Sequence, residues 1–157
     1  THRLASLAAA CKRLGVHSID AIALDASHTL PFASDGAQFD RVLIDAPCSG
    51  TGTLRRNPEI KWRLTPDDMP RLAEVQLSLL ARAAELTRSG GRLVYSTCSV
   101  EREENEEVIA RFLEAGAPVR VIESNAPAAV ITPDRFVRTF PHRNLSDGFF
   151  AATIEKV

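Results

Sequence analysis

The sequence predicts an α/β fold built on an open, mostly parallel sheet, and three observations carry the prediction. Stretches of strand character alternate with stretches of helical period along the chain. The run Val42-Leu43-Ile44 is apolar throughout, which suits a strand in a sheet covered on both faces. Asp25, Asp45-Ala46-Pro47-Cys48 and Thr97-Cys98-Ser99 each close a predicted strand. Chemistry-bearing residues therefore gather beyond the carboxyl ends of the strands, where open α/β sheets bind ligands.

Leu4, Leu7, Ala8, Cys11 and Leu14 recur at helical spacing, and Gly15 stands where a glycine stop belongs, so the chain opens inside a helix. Residues 19–24 alternate weakly and predict a short strand; residues 28–38 carry Pro, Ser, Asp and Gly and predict a loop. Residues 41–44 form the apolar strand. Residues 46–64 lack a period and hold Pro47, Gly50, Gly52 and Asn57-Pro58, a loop long enough to suggest function. Thr65-Pro66-Asp67-Asp68 supplies a cap, an early proline and acids for a helix start. Met69, Leu72, Val75, Leu79, Ala83 and Leu86 give that helix a buried stripe, and Ser89-Gly90-Gly91 is its expected stop. A strand follows at 92–97. The next helix is expected from Ser99, with Val108, Ile109, Phe112 and Leu113 on its apolar face and Gly116 at its end. The Glu-rich run 101–107 is expected to be its solvated face. Strands at 119–123 and 148–154, separated by a proline-containing loop, complete the pattern.

At 157 residues, 45% hydrophobic and 25% charged, the chain fits one globular domain over residues 1–157. A net charge of −1 gives no global field for nucleic acid or an anionic membrane, so such a partner must be met by a local patch. Cys11, Cys48 and Cys98 are odd in number and widely spaced, which fits free thiols in a reducing, cytoplasmic setting. No apolar run approaches the roughly 18 residues of a membrane span, and the amino end lacks signal-peptide features. No paired ligand spacing suggests a metal.

A free thiol has a pKa of about 8.5, so a reactive cysteine needs a helix N-terminus or a positive neighbour. Cys98, just before the helix expected from Ser99, has such help in prospect. Cys48 precedes a loop containing Arg55 and Arg56. Both thiols could equally be small buried hydrophobes. None of the histidines at 2, 17, 28 and 142 shows a motif that would pair it with either thiol.

Asp45-Ala46-Pro47-Cys48-Ser49-Gly50-Thr51-Gly52, then Arg55-Arg56-Asn57-Pro58-Glu59-Ile60-Lys61-Trp62, then Gly90 to Val100 with Thr97-Cys98, then Glu104-Asn105-Glu106 and the closing Asp147-Gly148-Phe149-Phe150-Ala151, resemble the Sun (Fmu) family of RNA cytosine-5 methyltransferases. The resemblance implies a partial Rossmann-like, S-adenosylmethionine-dependent methyltransferase fold and an RNA substrate, ribosomal RNA in the first place. It implies that the Cys98 thiolate attacks C6 of cytosine, that C5 takes the methyl group, and that Cys48 assists product release. Asp45 would lie between cofactor and base. Asp25 would accept from the adenine amino group, and Pro47 would border the cofactor. Arg55, Arg56, Lys61, His142 and Arg143 become candidates for phosphate contact. Trp62 is a base-stacking platform or a core anchor.

The chain departs from the family pattern before Thr1, and Thr1-His2-Arg3-Leu4 resembles the start of the helix that follows the ribose-binding acid. The family's glycine-rich cofactor loop and the acid for the ribose hydroxyls have no counterpart, so the chain resembles the C-terminal part of the catalytic domain, lacking the first two strands. Two expectations follow. The strand at 41–44 should present an exposed edge, with 19–24 detached and self-association through that edge, and S-adenosylmethionine should bind weakly. Two rivals stay open: a non-catalytic RNA-binding or assembly module, and a DNA cytosine-5 methyltransferase with Cys48 as nucleophile.

Overall fold

The computed structural model describes residues 2–31, 36 and 38–157. Thr1 and part of the expected 28–38 loop, at 32–35 and 37, lie outside the described residues. The elements run α1 (His2–Leu14), β1 (Phe39–Asp45), α2 (Ile60–Arg63), α3 (Asp68–Leu86), β2 (Thr87–Thr97), α4 (Glu106–Glu114), β3 (Val119–Ile122), β4 (Val137–Thr139), α5 (Pro141–Asn144) and β5 (Phe149–Lys156). Short 3-10 turns fall at Thr51–Thr53, Arg102–Glu104 and Ala128–Val130.

The sheet order is β1-β2-β5-β3, with β4 pairing β5 off that path. The class is α/β as expected, but the sheet is mixed and not mostly parallel. Only β1 and β2 run parallel; β5 is antiparallel to β2, β3 and β4. The connections explain this. The nineteen-residue α3 gives β1 and β2 the long crossover that a parallel pair requires. The return from β4 to β5 passes only through α5 and a short turn, which permits an antiparallel pair.

The expected strand at 19–24 does not form. Ile19, Ile22 and Leu24 are exposed and their backbone is irregular. A strand exists only through its ladder, and among the described residues no strand lies on the far side of β1. The same edge leaves Leu43 70% exposed, so β1 is not covered on both faces as its apolar run suggests.

The core joins α3 and α4 to one face of the sheet. Leu80, Leu93, Tyr95, Val108, Ile109, Phe150 and Ile154 are its most deeply buried members. Alternation along β2 and β5 sends Leu93, Tyr95, Phe150, Ala152 and Ile154 inward. Ser89-Gly90-Gly91 is not a helix stop. α3 ends at Leu86, where the Thr87 hydroxyl donates to Ala83 O at 2.7 Å, and the glycines lie in β2. There the β1 register shifts between Phe39 and Arg41.

Candidate active site

Parallel neighbours end together, so β1 and β2 deliver their following loops to one edge of the sheet. Ala46 N–H donates to Ser96 O at 2.9 Å and Gly52 N–H to Cys98 O at 3.0 Å, pinning the first loop against the second. The result brings Cys48 and Cys98, fifty residues apart, to an Sγ–Sγ distance of 3.4 Å. Burial, then the contact with Cys98, pushes the Cys48 thiol up to about 12, against the pull of backbone N–H groups of Cys98 and Gly50. Cys48 therefore keeps its proton through the neutral range and has Cys98 Sγ as an acceptor.

The expectation that Cys98 sits at a helix N-terminus is not met. α4 begins only at Glu106. Side chains bond the backbone there instead: Asn105 Nδ2 donates to Ser99 O at 3.0 Å and Glu101 N–H donates to Ser99 Oγ at 3.1 Å, while Thr97 Oγ1 holds the Asn105 side chain by donating to its Oδ1 at 2.6 Å. Such local bonds compete with helix formation.

Glu104 is the second correction. The Glu-rich run is not wholly a solvated face, because Glu104 and Asn105 are 0% exposed. Glu104 Oε1 accepts from Ser49 N–H at 2.8 Å and Gln76 Nε2 at 3.1 Å, and Oε2 accepts from Ser49 Oγ. Its backbone oxygen accepts from Tyr95 OH at 2.6 Å. Gln76 also donates to Pro47 O at 2.9 Å. Sequence reasoning missed Glu104, Asn105 and Gln76. The triplet Glu104-Asn105-Glu106 within the resemblance was the available signal.

Two glycines allow the loops to close. Gly50 has φ 76°, in the left-handed region. At Gly52 a Cβ would lie 2.1 Å from Gly148 O, so only glycine lets the 50–53 turn meet the Asp147-Gly148 turn. Arg56 pairs with Asp147 across the same junction. Arg138, 8% exposed, donates to Val100 O and pairs with Glu106 at 2.7 Å, bracing the Cys98 loop from β4. Arg138 was also missed, and nothing in its local sequence marks it.

An open groove of about 880 Å³ runs along the exposed side of β1. Asp25, Asp45 and Pro47 line it together with Val42, Ile44 and Leu79. The structure thus collects all three residues expected at the cofactor. Asp25 does not end a strand but closes a tight turn, accepting from Ser27 N–H at 3.0 Å and Ser27 Oγ at 2.6 Å, and these bonds hold its carboxyl below the usual range. Carboxyl oxygens at the rim and apolar walls suit a planar, amine-bearing group such as adenosine, so these residues fit S-adenosylmethionine.

A smaller cavity of about 290 Å³ opens beside Cys48, lined also by Ile60, Leu64, Arg63 and Arg71. Arg63 and Arg71 were not singled out in the sequence. Arg55, Lys61, His142 and Arg143 are exposed. Trp62 is 80% exposed with Lys61 Nζ 4.9 Å from its ring, so it is no core anchor. His142 and Arg143 flank the Phe140 ring at 5.5 and 5.4 Å. Among the described residues no cluster of His, Cys, Asp or Glu could hold a metal ion, and no helix is long and apolar enough to cross a membrane.

The chain matches the family described as 16S rRNA methyltransferase RsmB/F over residues 1–155. A Bacillus subtilis (strain 168) protein named "Probable ribosomal RNA small subunit methyltransferase B" is 41% identical over 160 residues, covering 99% of this chain and 36% of the relative. Ribosomal RNA small subunit methyltransferase B of Vibrio cholerae serotype O1 is 42% identical over 121 residues, covering 77% of this chain and 26% of the relative. The chain is similar to the crystal structure of NSun6 from Pyrococcus horikoshii with SFG, with TM-score 0.85 and 30% identity over 100% of this chain and 39% of that one. It is also similar to a methyltransferase homolog protein from Pyrococcus horikoshii, with TM-score 0.80 and 32% identity over 99% of this chain and 50% of that one. The chain spans 36% and 26% of these two curated relatives.

Proposed function

Because the chain belongs to the 16S rRNA methyltransferase RsmB/F family, a family of S-adenosylmethionine-dependent methyltransferases with a Rossmann-like fold, we propose that it carries the two-cysteine part of a site that methylates cytosine C5 in ribosomal RNA. The observation that carries this reading is the 3.4 Å approach of Cys48 and Cys98 from two different strand ends. A structural role needs one buried thiol at a time; two free thiols in contact at a ligand-binding sheet edge suit chemistry in which one sulfur attacks and the other hydrogen-bonds it as it leaves. We read residues 1–157 as part of one methyltransferase catalytic domain acting in the reducing cytoplasm, where all three cysteines stay free.

Cytosine C5 is a poor nucleophile. The Cys98 thiolate adds to C6, an S–C bond forms, and the C5–C6 electrons move into the ring so that C5 becomes nucleophilic. Bound S-adenosylmethionine supplies the electrophilic methyl group. Asp45, at the end of β1 between groove and sulfurs, hydrogen-bonds the polarised ring. Asp25, Asp45 and Pro47 border the cofactor. Water takes the C5 proton, the freed electron pair restores the C5–C6 double bond, and the C6–S bond breaks so that Cys98 leaves as a thiolate. Cys48, held as a neutral thiol, donates a hydrogen bond to the departing sulfur and so stabilises it.

Arg55, Arg56, Lys61, His142 and Arg143 meet RNA phosphates, and the exposed Trp62 stacks on a base. Trp62 is the sole tryptophan of the chain, so its fluorescence reports RNA directly. RNA is expected to quench it, and Trp62→Ala to weaken RNA binding about tenfold; unchanged fluorescence and affinity would remove that contact. The isolated chain also pairs with a second copy through the β1 edge.

The decisive assay is methyl transfer to 16S ribosomal RNA by the full-length protein. Cys98→Ala is expected to abolish transfer. Cys48→Ala should slow turnover and leave RNA joined to Cys98 in a complex that survives denaturation. Activity surviving Cys98→Ala would remove the nucleophile, and loss of transfer in Cys48→Ala alone would favour the Cys48 chemistry of a DNA-type enzyme. A non-catalytic module predicts no transfer by any form.

A further inference from the structure

The two sulfurs meet because the residues that follow them are locked together. Ser49 and Ser99 stand one position beyond Cys48 and Cys98, and their hydroxyls lie 3.1 Å apart. Thr51 Oγ1 lies 3.2 Å from Ser99 Oγ and accepts from Val100 N–H at 3.1 Å. Each hydroxyl has one proton to give, so an acceptor that takes the proton of the hydroxyl at one end orients the whole row. Glu104 is that acceptor: Ser49 gives its proton to Oε2, Ser99 then donates to Ser49, and Thr51 donates to Ser99. Ser49, Thr51, Ser99 and Glu104 are all buried, so water cannot replace a missing partner.

The geometry points to Glu104, acting through Ser49, as a positioning residue that holds the Cys48 and Cys98 sulfurs in contact. This rests on the reading above, in which Cys98 attacks and Cys48 eases its departure. Glu104 is wholly buried and reaches the sulfurs only through Ser49, which lines the cavity beside Cys48. Their effect falls on the step that needs the two sulfurs together, the release of the adduct, and spares the attack by Cys98 alone.

The test compares full-length variants on 16S ribosomal RNA transcript, scoring methyl transfer and the RNA that stays with protein after denaturation. Ser49→Ala and Glu104→Ala are expected to raise the denaturation-stable adduct about tenfold over wild type while turnover falls. A merely structural defect lowers both together. Glu104→Gln should rescue release relative to Glu104→Ala, because the amide oxygen still accepts from Ser49 N–H and Gln76 while the amide nitrogen donates to Ser49 Oγ and keeps it in place. If Glu104→Ala does not fold, Ser49→Ala decides, since it removes one oxygen and no core volume. Wild-type adduct levels in Ser49→Ala, or equal accumulation in Glu104→Gln and Glu104→Ala, would overturn the inference. Cys48→Ala is the reference: if it accumulates no adduct, the parent reading fails, whereas adduct in Cys48→Ala but not in Ser49→Ala rejects only the positioning role.

Discussion

Cys48 holds its proton because it is buried and because Cys98 is beside it. Iodoacetamide at pH 8 is therefore expected to leave Cys48 largely unmodified in peptide mass spectra, since alkylation needs the thiolate. In Cys98→Ala the sulfur contact is gone, the pKa falls back towards the ordinary range, and Cys48 labelling should accelerate; equal rates in both forms would contradict the assignment. Gly52 gives a second residue-level outcome. Gly52→Ala sets a methyl group into Gly148 O, so a destabilisation of about 3 kcal/mol is expected in urea unfolding, as for other overpacked sites. That Asp45, Pro47, Cys48 and Cys98 share one end of the sheet could be read because short motifs at two strand ends contain them, whereas Asp25 was expected to end a strand that does not form. Glu104 was not legible, because its burial depends on Ser49 and Gln76, fifty-five and twenty-eight residues away.

Elements reveal the same division. α3 could be read from its period, which is local, although Thr65 does not cap it but donates to Asp68, where the helix starts; the strand expected at 19–24 needed a neighbour for its ladder and has none among the described residues. The β4 strand, three residues long, carries too little pattern to be seen in advance. The start of α3 has its own pH dependence. Arg71, with Thr65 N–H and Oγ1, holds the Asp68 carboxyl at about 2, from an ordinary value of 3.8. A lowered folded-state pKa stabilises above the unfolded value and is lost as pH falls through the folded one. The melting-temperature gap between wild type and Asp68→Asn should therefore close between pH 4 and pH 2. Because the carboxyl is solvent-screened, added salt should shrink that gap at neutral pH; a gap insensitive to both pH and salt would reject this pairing.

At the scale of the molecule, the open side of β1 governs behaviour. Leu43 lies on a strand that, among the described residues, has a partner strand on one side only, and the groove holding Asp25 and Asp45 faces the same way. Light scattering of the 157-residue chain is expected to show association, and a stable monomer would count against edge pairing. Calorimetry with S-adenosylmethionine should give weak or no binding for the same chain, since its groove is wide open to solvent; micromolar affinity would contradict this. The parallel-sheet expectation failed at this scale because strand direction is set by connections such as the β4–β5 return, which no single segment encodes. The position of β5 also bears on synthesis. It follows every other element in the chain yet lies inside the sheet, between β2 and β3, where Phe150, Ala152 and Ile154 fill the core. When β1, α3 and β2 have left the ribosome that slot is still empty, so the part of the core that Phe150, Ala152 and Ile154 fill stays open until residues 149–156 emerge.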